Sequence, residues 1–181
     1  GQATYNLDTL ALTLGGRVTR DQKNGRLFTV NGAATNFTFR EKDSRIDPLV
    51  TLAWQASDSI NLYAKYATGY RAGGASSRSL NYRSFGPESV KSYEIGAKTE
   101  FFDRMVRLNL AGYIMDRSDT QVDFNFFIPQ ANGTVRNTLE TVNAAGTTKI
   151  RGIEADLTVR PMDGLSFGLS YAYTSTNVPP A

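Results

Sequence analysis

The chain has 181 residues, with 20 Lys+Arg against 17 Asp+Glu, 16 glycines, 6 prolines, and neither cysteine nor histidine. Without Cys there is no disulfide framework or thiolate chemistry. Without His the commonest general base and metal ligand are gone, so neither an enzyme nor a metal centre is expected. A net charge of +3 scattered along the chain offers no basic stripe to nucleic acid.

The opening GQATYNLDTL lacks the basic start and apolar core of a signal peptide, and no run reaches the roughly 20 apolar residues of a membrane-spanning helix. A first residue other than Met and an end at NVPPA read as a fragment of something longer. Period-two alternation then dominates, with helical spacing nearly absent.

Seven strands are predicted. Thr9 to Asp21 sets Leu10, Leu12, Leu14 and Val18 against Thr13, Arg17, Thr19 and Asp21. A long loop, Gln22 to Asp47, carries turn chemistry at Asn24-Gly25 and Asn31-Gly32. Pro48 to Gln55 follows, then the short turn ASDS. Ser59 to Arg71 opposes Ile60, Leu62, Ala64, Tyr66, Thr68 and Tyr70 to Asn61, Tyr63, Lys65, Ala67, Gly69 and Arg71.

The second long loop, Ala72 to Glu88, starts at Gly73-Gly74. GYRAGG there lacks the G-x-x-x-x-G-K-[ST] spacing of a phosphate loop, and no helix pattern follows to supply amide donors. Ser89 to Phe101 and Arg104 to Asp116 are joined by a short turn around Asp103. The first opposes Tyr93, Ile95, Ala97, Thr99 and Phe101 to Ser92, Glu94, Gly96, Lys98 and Glu100. The second opposes Val106, Leu108, Leu110, Gly112 and Ile114 to Arg107, Asn109, Ala111, Tyr113 and Met115.

The third long loop, Arg117 to Thr148, contains Asn132-Gly133. Lys149 to Arg160 and Leu165 to Thr174 close the series across PMDG. In them Ile153, Ala155, Leu157 and Val159 oppose Glu154, Asp156, Thr158 and Arg160, and Leu165, Phe167, Leu169, Tyr171 and Tyr173 oppose small or hydroxyl residues.

Most of these strands exceed the five or six residues usual in soluble sheets and suit a tilted membrane strand of about 9 to 11 residues plus overhang. Short and long connections alternate, as they do between the two ends of an outer-membrane barrel. No charged residue is among those named above for the apolar faces, while the opposite faces hold many. Aromatics cluster at two levels, with Trp54, Phe101 and Phe102 beside short turns and Tyr66, Tyr70, Tyr93, Tyr171 and Tyr173 toward long loops, as interfacial girdles would. The fold class is therefore all-β: an antiparallel up-and-down transmembrane β-barrel segment. A soluble barrel with an apolar core shows the same period, so the residues leave that alternative open.

Several ordered stretches resemble one family. DPLVTLAWQASDSINLYAKYATGYRAGG, FGPESVKSYEIGAKTEFFDRMVRLNLAGYIMDRSDTQV and NAAGTTKIRGIEADLTVRPMDGLSFGLSYAYTST resemble the barrel of TonB-dependent outer-membrane receptors. Pro87, Glu88, Tyr93, Glu94, Gly96 and Lys98 match a strand-opening signature; Gly152 and Glu154 match a later one. Tyr66, Gly69, Tyr70, Arg71 and Gly73 match a third element. The resemblance implies seven strands of a 22-stranded barrel in the bacterial cell outer membrane, surrounded by outer-membrane lipid. It also implies a plug domain from the same parent chain, contact with TonB through an N-terminal part absent here, and uptake of a ferric siderophore or similar nutrient. A passive porin-like channel is the rival from another class.

Within that frame, Arg17, Lys65, Glu94, Lys98, Glu100, Arg107, Glu154, Asp156 and Arg160 are expected on a lumenal, plug-facing wall, their opposite charges paired across strands. No catalytic residue, metal site or cofactor is expected. The long loops supply the ligand candidates: Arg71, Arg78, Tyr82, Arg83 and Phe85, with Phe124, Phe126 and Phe127 as a second aromatic group. Arginine with aromatics suits an anionic or catechol-like iron chelate through charge-assisted hydrogen bonds and stacking.

Overall fold

The computed structural model describes residues 1–30, 33–79 and 83–179. These form β1 (Gln2–Leu7), β2 (Leu10–Val30), β3 (Ala33–Ser57), β4 (Ile60–Arg71), β5 (Gly74–Ala75), β6 (Ser84–Phe85), β7 (Glu88–Phe101), β8 (Val106–Ser118), β9 (Gln121–Pro129), β10 (Val135–Asn143), β11 (Thr147–Met162) and β12 (Leu165–Asn177). Eight build one antiparallel sheet in the order β1-β2-β3-β4-β7-β8-β11-β12. β5–β6 and β9–β10 are separate hairpins inside the two later long connections. β1 and β12 do not pair with each other, so the sheet is an open wall of up-and-down strands.

The wall has eight strands where seven were predicted. β1 pairs with β2 from Gln2↔Gly15 to Leu7↔Leu10 around the two-residue turn Asp8-Thr9, with Asp8 at φ 44°. Its apolar parity is only Ala3, Tyr5 and Leu7, too short a run to stand out by period. With β1 in place, all four turns at one end are tight, and each carries an aspartate: Asp8, Asp58, Asp103 and Asp163. Aspartate tolerates the left-handed backbone that such turns need, as the φ values of Asp8 and Asp103 show.

The loop expected from Gln22 to Asp47 is instead strand. β2 and β3 stay in register from Leu10↔Trp54 through Leu27↔Phe37, with one irregularity before Val30↔Ala33. The expected Asn31-Gly32 turn lies outside the described residues. Beyond Val18 and Ile46 both parities stay polar as far as Arg26 and Arg40, so the apolar alternation that marks a half-buried strand disappears while the backbone ladder continues. β3 also leaves β4 at this level: their pairing runs from Ser57↔Ile60 only to Leu49↔Ala67. Pro48, next in line, has no N–H to donate.

Above that point the β2–β3 arm leans on the end of β4. Asp47, 9% exposed, accepts from Arg45 Nε at 2.8 Å and from Thr68 Oγ1 at 3.0 Å. The Arg45 guanidinium lies 5.7 Å over the Tyr70 ring, and Lys23 Nζ donates to the Gly73 carbonyl at 2.7 Å.

Below the arm, the register keeps one parity apolar across the whole wall. Leu10–Val18, Ile46–Trp54, Tyr93–Phe101, Val106–Ile114 and Leu165–Tyr173 each place nine positions in the belt, with no charge on that face. Nine residues span about 27 Å along a strand, or about 21 Å at a tilt near 40°, close to the roughly 25 Å apolar band of membrane barrels. Nothing in the described chain covers this face. Ile95 is 68% exposed, Leu169 65% and Ile153 54%. At its long-loop border the Tyr66 and Tyr93 rings lie 5.1 Å apart, and Trp54 stands near the short-turn border.

Candidate functional site

The opposite parity forms the polar face. Lys65 and Glu94 are register partners, 3.8 Å apart. Glu94 also accepts from the Tyr63 hydroxyl at 2.8 Å, and the Lys98 ammonium sits 5.8 Å from the Tyr63 ring. Nearer the short turns, Glu100 is bound by its register partner Arg107 at 2.6 Å and by Arg104 at 3.3 Å. Cross-strand charge pairing, as expected, holds for these two sets.

The other predicted wall residues share the face without an ion pair among the described residues. Arg17 lies opposite Asp47, whose carboxylate is already taken by Arg45. Asp156 accepts from Ser170 Oγ at 2.6 Å, and Glu154 lies between Ala111 and Ala172. The Arg160 amide donates to the Met105 carbonyl by the short turns. Glu154 and Asp156 are neighbours on one side of β11, and Asp156 is occupied by the Ser170 hydroxyl.

Glycines on this face are beds for aromatic rings. Tyr63 lies flat over Gly96, its register partner, where an added Cβ would come within 2.5 Å of the ring. Tyr113 covers Gly152 in the same way and shares a 2.8 Å hydrogen bond with Thr174 on the next strand. Phe39 covers Gly25 in the arm. Such cross-strand pairs fix register and fill the space the glycine leaves.

At the long-loop end the connections 72–87 and 119–146 are fastened together. Asn143 Nδ2 donates to the Gly86 carbonyl at 3.0 Å and the Asp119 carbonyl at 2.8 Å, while its Oδ1 accepts from the Gly86 amide at 2.7 Å. Gln121 Nε2 donates to the carbonyls of Ala72 and Gly86 at 3.1 and 3.0 Å. Glu88 accepts from the Gln121 amide at 2.8 Å and pairs with Arg71 at 3.7 Å. Further out, Leu139 donates to the Arg78 carbonyl, and the buried Ser79 hydroxyl donates to Glu140 at 2.8 Å. Gly73 is needed here for space: a Cβ would meet the Phe85 carbonyl at 2.5 Å.

The structure thus gathers most ligand candidates on one joined platform. Arg78, beside β10, and Arg83, whose amide donates to the Ser79 hydroxyl, are exposed. Phe124 and Phe126 share a side of β9, their rings stacked 6.5 Å apart. Phe127 points to the other side and is 70% exposed, so the three do not form one cluster. The Phe85 ring is packed against Gly74, and Arg71 faces Glu88 while remaining 62% exposed. Tyr82 lies outside the described residues. Sequence reading passed over Asn143, Gln121 and Ser79, because isolated polar loop residues have no period to betray them.

Removing the fastening is expected to loosen both loops at once. Asn143→Ala takes the partner from the Gly86 amide and the Asp119 carbonyl, while Gln121 still donates to the Gly86 carbonyl, at a cost of about 1–3 kcal/mol. Hydrogen exchange on the full-length protein is expected to speed up about tenfold or more in 72–87 and 119–146 together, with the wall strands unchanged. Loosening of 119–146 alone would show that the loops are independent.

The comparisons with known proteins agree with this architecture. The family model described as TonB dependent receptor-like, beta-barrel, matches residues 1–180. The ferric-pyoverdine 358 receptor of Pseudomonas putida is 22% identical over 95% of the chain, which spans 20% of that relative's length. The ferric yersiniabactin uptake receptor FyuA of Yersinia pestis superposes with a TM-score of 0.74 at 19% identity, over 98% of this chain and 26% of that one. The copper transporter OprC gives 0.77 at 15% identity, over 98% and 27%. These neighbours are transport receptors and transporters, not enzymes.

Proposed function

Since the chain belongs to the TonB-dependent receptor-like β-barrel family, we propose that it is part of the barrel wall of an outer-membrane receptor for ferric siderophore uptake. The observation that carries this is the uncovered apolar belt, backed by a charged face and capped by fastened long loops. In this reading the belt faces lipid, and the polar face with Lys65, Glu94, Lys98, Glu100, Arg107, Glu154, Asp156, Arg160 and Arg17 faces the lumen and a plug domain. The short Asp-bearing turns are periplasmic, and the loops carrying Arg78, Arg83, Phe124 and Phe126 are extracellular. Energy for release into the periplasm comes from TonB acting on the plug.

The siderophore assignment leans on the curated relative and on FyuA, whose names specify ferric siderophores. OprC shares the wall architecture and is named for copper, so the wall does not select the cargo. Uptake of radiolabelled iron by cells carrying the full-length receptor, given a panel of ferric siderophores and a copper salt, tests it. Accumulation is expected with at least one siderophore and loss of it without TonB. Uptake that persists without TonB would favour a passive channel.

Sidedness has its own check. Arg78→Cys is expected to react with an impermeant maleimide on whole cells, and Asp58→Cys only after the outer membrane is opened. Equal labelling would reverse the assignment of the loops.

A further inference from the structure

The lipid-facing parity is free of charge up to its tyrosine row and then changes abruptly across three adjacent strands. Tyr93 on β7 opposes Ile114 on β8, which opposes Arg151 on β11. One pair further toward the long loops, Lys91 opposes Asp116, which opposes Lys149. Three cations and one acid therefore share the apolar parity, Arg151 level with the last row of the belt and the other three directly beyond it. Neighbouring strands at the same level present Thr68 and Tyr70 on β4 and Ser175 on β12, so the charge is a patch and not a ring.

Lys91, Lys149 and Arg151 are all exposed. Among the described residues no ion pair within 4 Å and no side-chain hydrogen bond involves any of them, although Asp116 sits between the two lysines. The lysines stand two strands apart, about 10 Å, within which flexible side chains can converge on one anionic group. Lysine stems can lie along apolar surface while the ammonium stays at headgroup depth. At the short-turn end the one cation near this parity, Arg104, is turned to Glu100 at 3.3 Å, and every turn carries an aspartate.

We propose that Lys91, Lys149 and Arg151 form a docking site for the phosphate groups of an outer-leaflet lipid whose acyl chains lie on the belt beneath them. The argument for a lipid over a free anion is continuity. The patch rises from Tyr93, Ile114 and Ile153 without an intervening polar row, so a molecule with both a phosphate and chains satisfies both surfaces at once. Asp116, opposite both lysines, attracts their ammonium groups and repels an incoming phosphate, which weakens the site slightly and leaves it open to exchange.

This inference rests on the outer-membrane reading, and its test separates the two. The full-length receptor is placed in phosphatidylcholine nanodiscs with or without a bisphosphorylated lipid A, and bound lipid is counted by native mass spectrometry. Each cation near a membrane surface contributes about a fivefold change in affinity, so Lys91→Gln/Lys149→Gln/Arg151→Gln together are expected to lower lipid A binding about a hundredfold. Lys91→Arg/Lys149→Arg/Arg151→Lys is expected to retain it, and Asp116→Asn to tighten it. Dephosphorylated lipid A is expected not to compete.

Unchanged binding in the triple glutamine variant would overturn the site, as would displacement of lipid by inorganic phosphate at equal concentration. Equal loss in the charge-preserving variant would assign the residues a structural role instead. A wild-type receptor that does not insert into membranes at all would overturn the outer-membrane reading beneath it.

Discussion

The Leu110→Arg variant of the full-length receptor is expected to fail to reach its folded, heat-modifiable form in the outer membrane, while Asn109→Arg assembles normally. The two positions are adjacent in β8 and point to opposite faces. Leu110 stands mid-belt, opposite Ala97 and Ala155, and is 46% exposed with nothing over it. An arginine facing lipid at the midplane costs about 2–4 kcal/mol, a large share of a stability that is typically 5–15 kcal/mol. Asn109 lies opposite Lys98 and Asp156, where water and a carboxylate can receive a cation. Band-shift electrophoresis of unheated outer-membrane samples measures the folded fraction. Equal assembly of both variants would mean that the belt does not meet lipid.

The second large effect concerns the glycine beds. Gly152→Val is expected to lower the unfolding free energy of the full-length receptor by about 1–3 kcal/mol, the usual result of forcing bulk into a filled site. Gly152 is buried under Tyr113, so a side chain there must lift the ring and break its contact with Thr174 on β12. The remedy defines the mechanism. With Tyr113→Ala already in place, the same valine is expected to cost far less, giving a clear coupling energy in a double-mutant cycle. Urea midpoints of the receptor refolded in detergent provide the four corners. Additive losses would sink the idea that ring and glycine act as one unit.

How much of this was legible in the sequence follows from what a period can carry. In the belt each strand has one apolar and one polar side, so Val106 to Ile114 and Leu165 to Tyr173 declare themselves by parity. The same test is blind where both sides are wet, so Gln22 to Asp47 was read as a loop although backbone pairing continues through it. It is also blind to a strand as short as β1. The cross-strand ion pairs Lys65–Glu94 and Glu100–Arg107 were anticipated because charges on one face of adjacent strands must meet. The loop fastening was not, since Asn143 reaches back 57 residues to Gly86 through a single amide. Nor could parity foresee that Phe127 would part from Phe124 and Phe126: the β9–β10 hairpin alternates too, and it divides the three between its two sides.

Pro48 gives the wall a mechanical character. Where β3 parts from β4, the β2–β3 arm becomes a cantilever, gripped along its lower length by Tyr70, Thr68 and the Lys23–Gly73 bond. Past Lys23 the two strands continue paired with each other for about seven residues, a length of about 20 Å. A tilt of about 10° at that grip would sweep the tip by about 4 Å. Small adjustments where the strands leave the belt are thereby magnified at the far end.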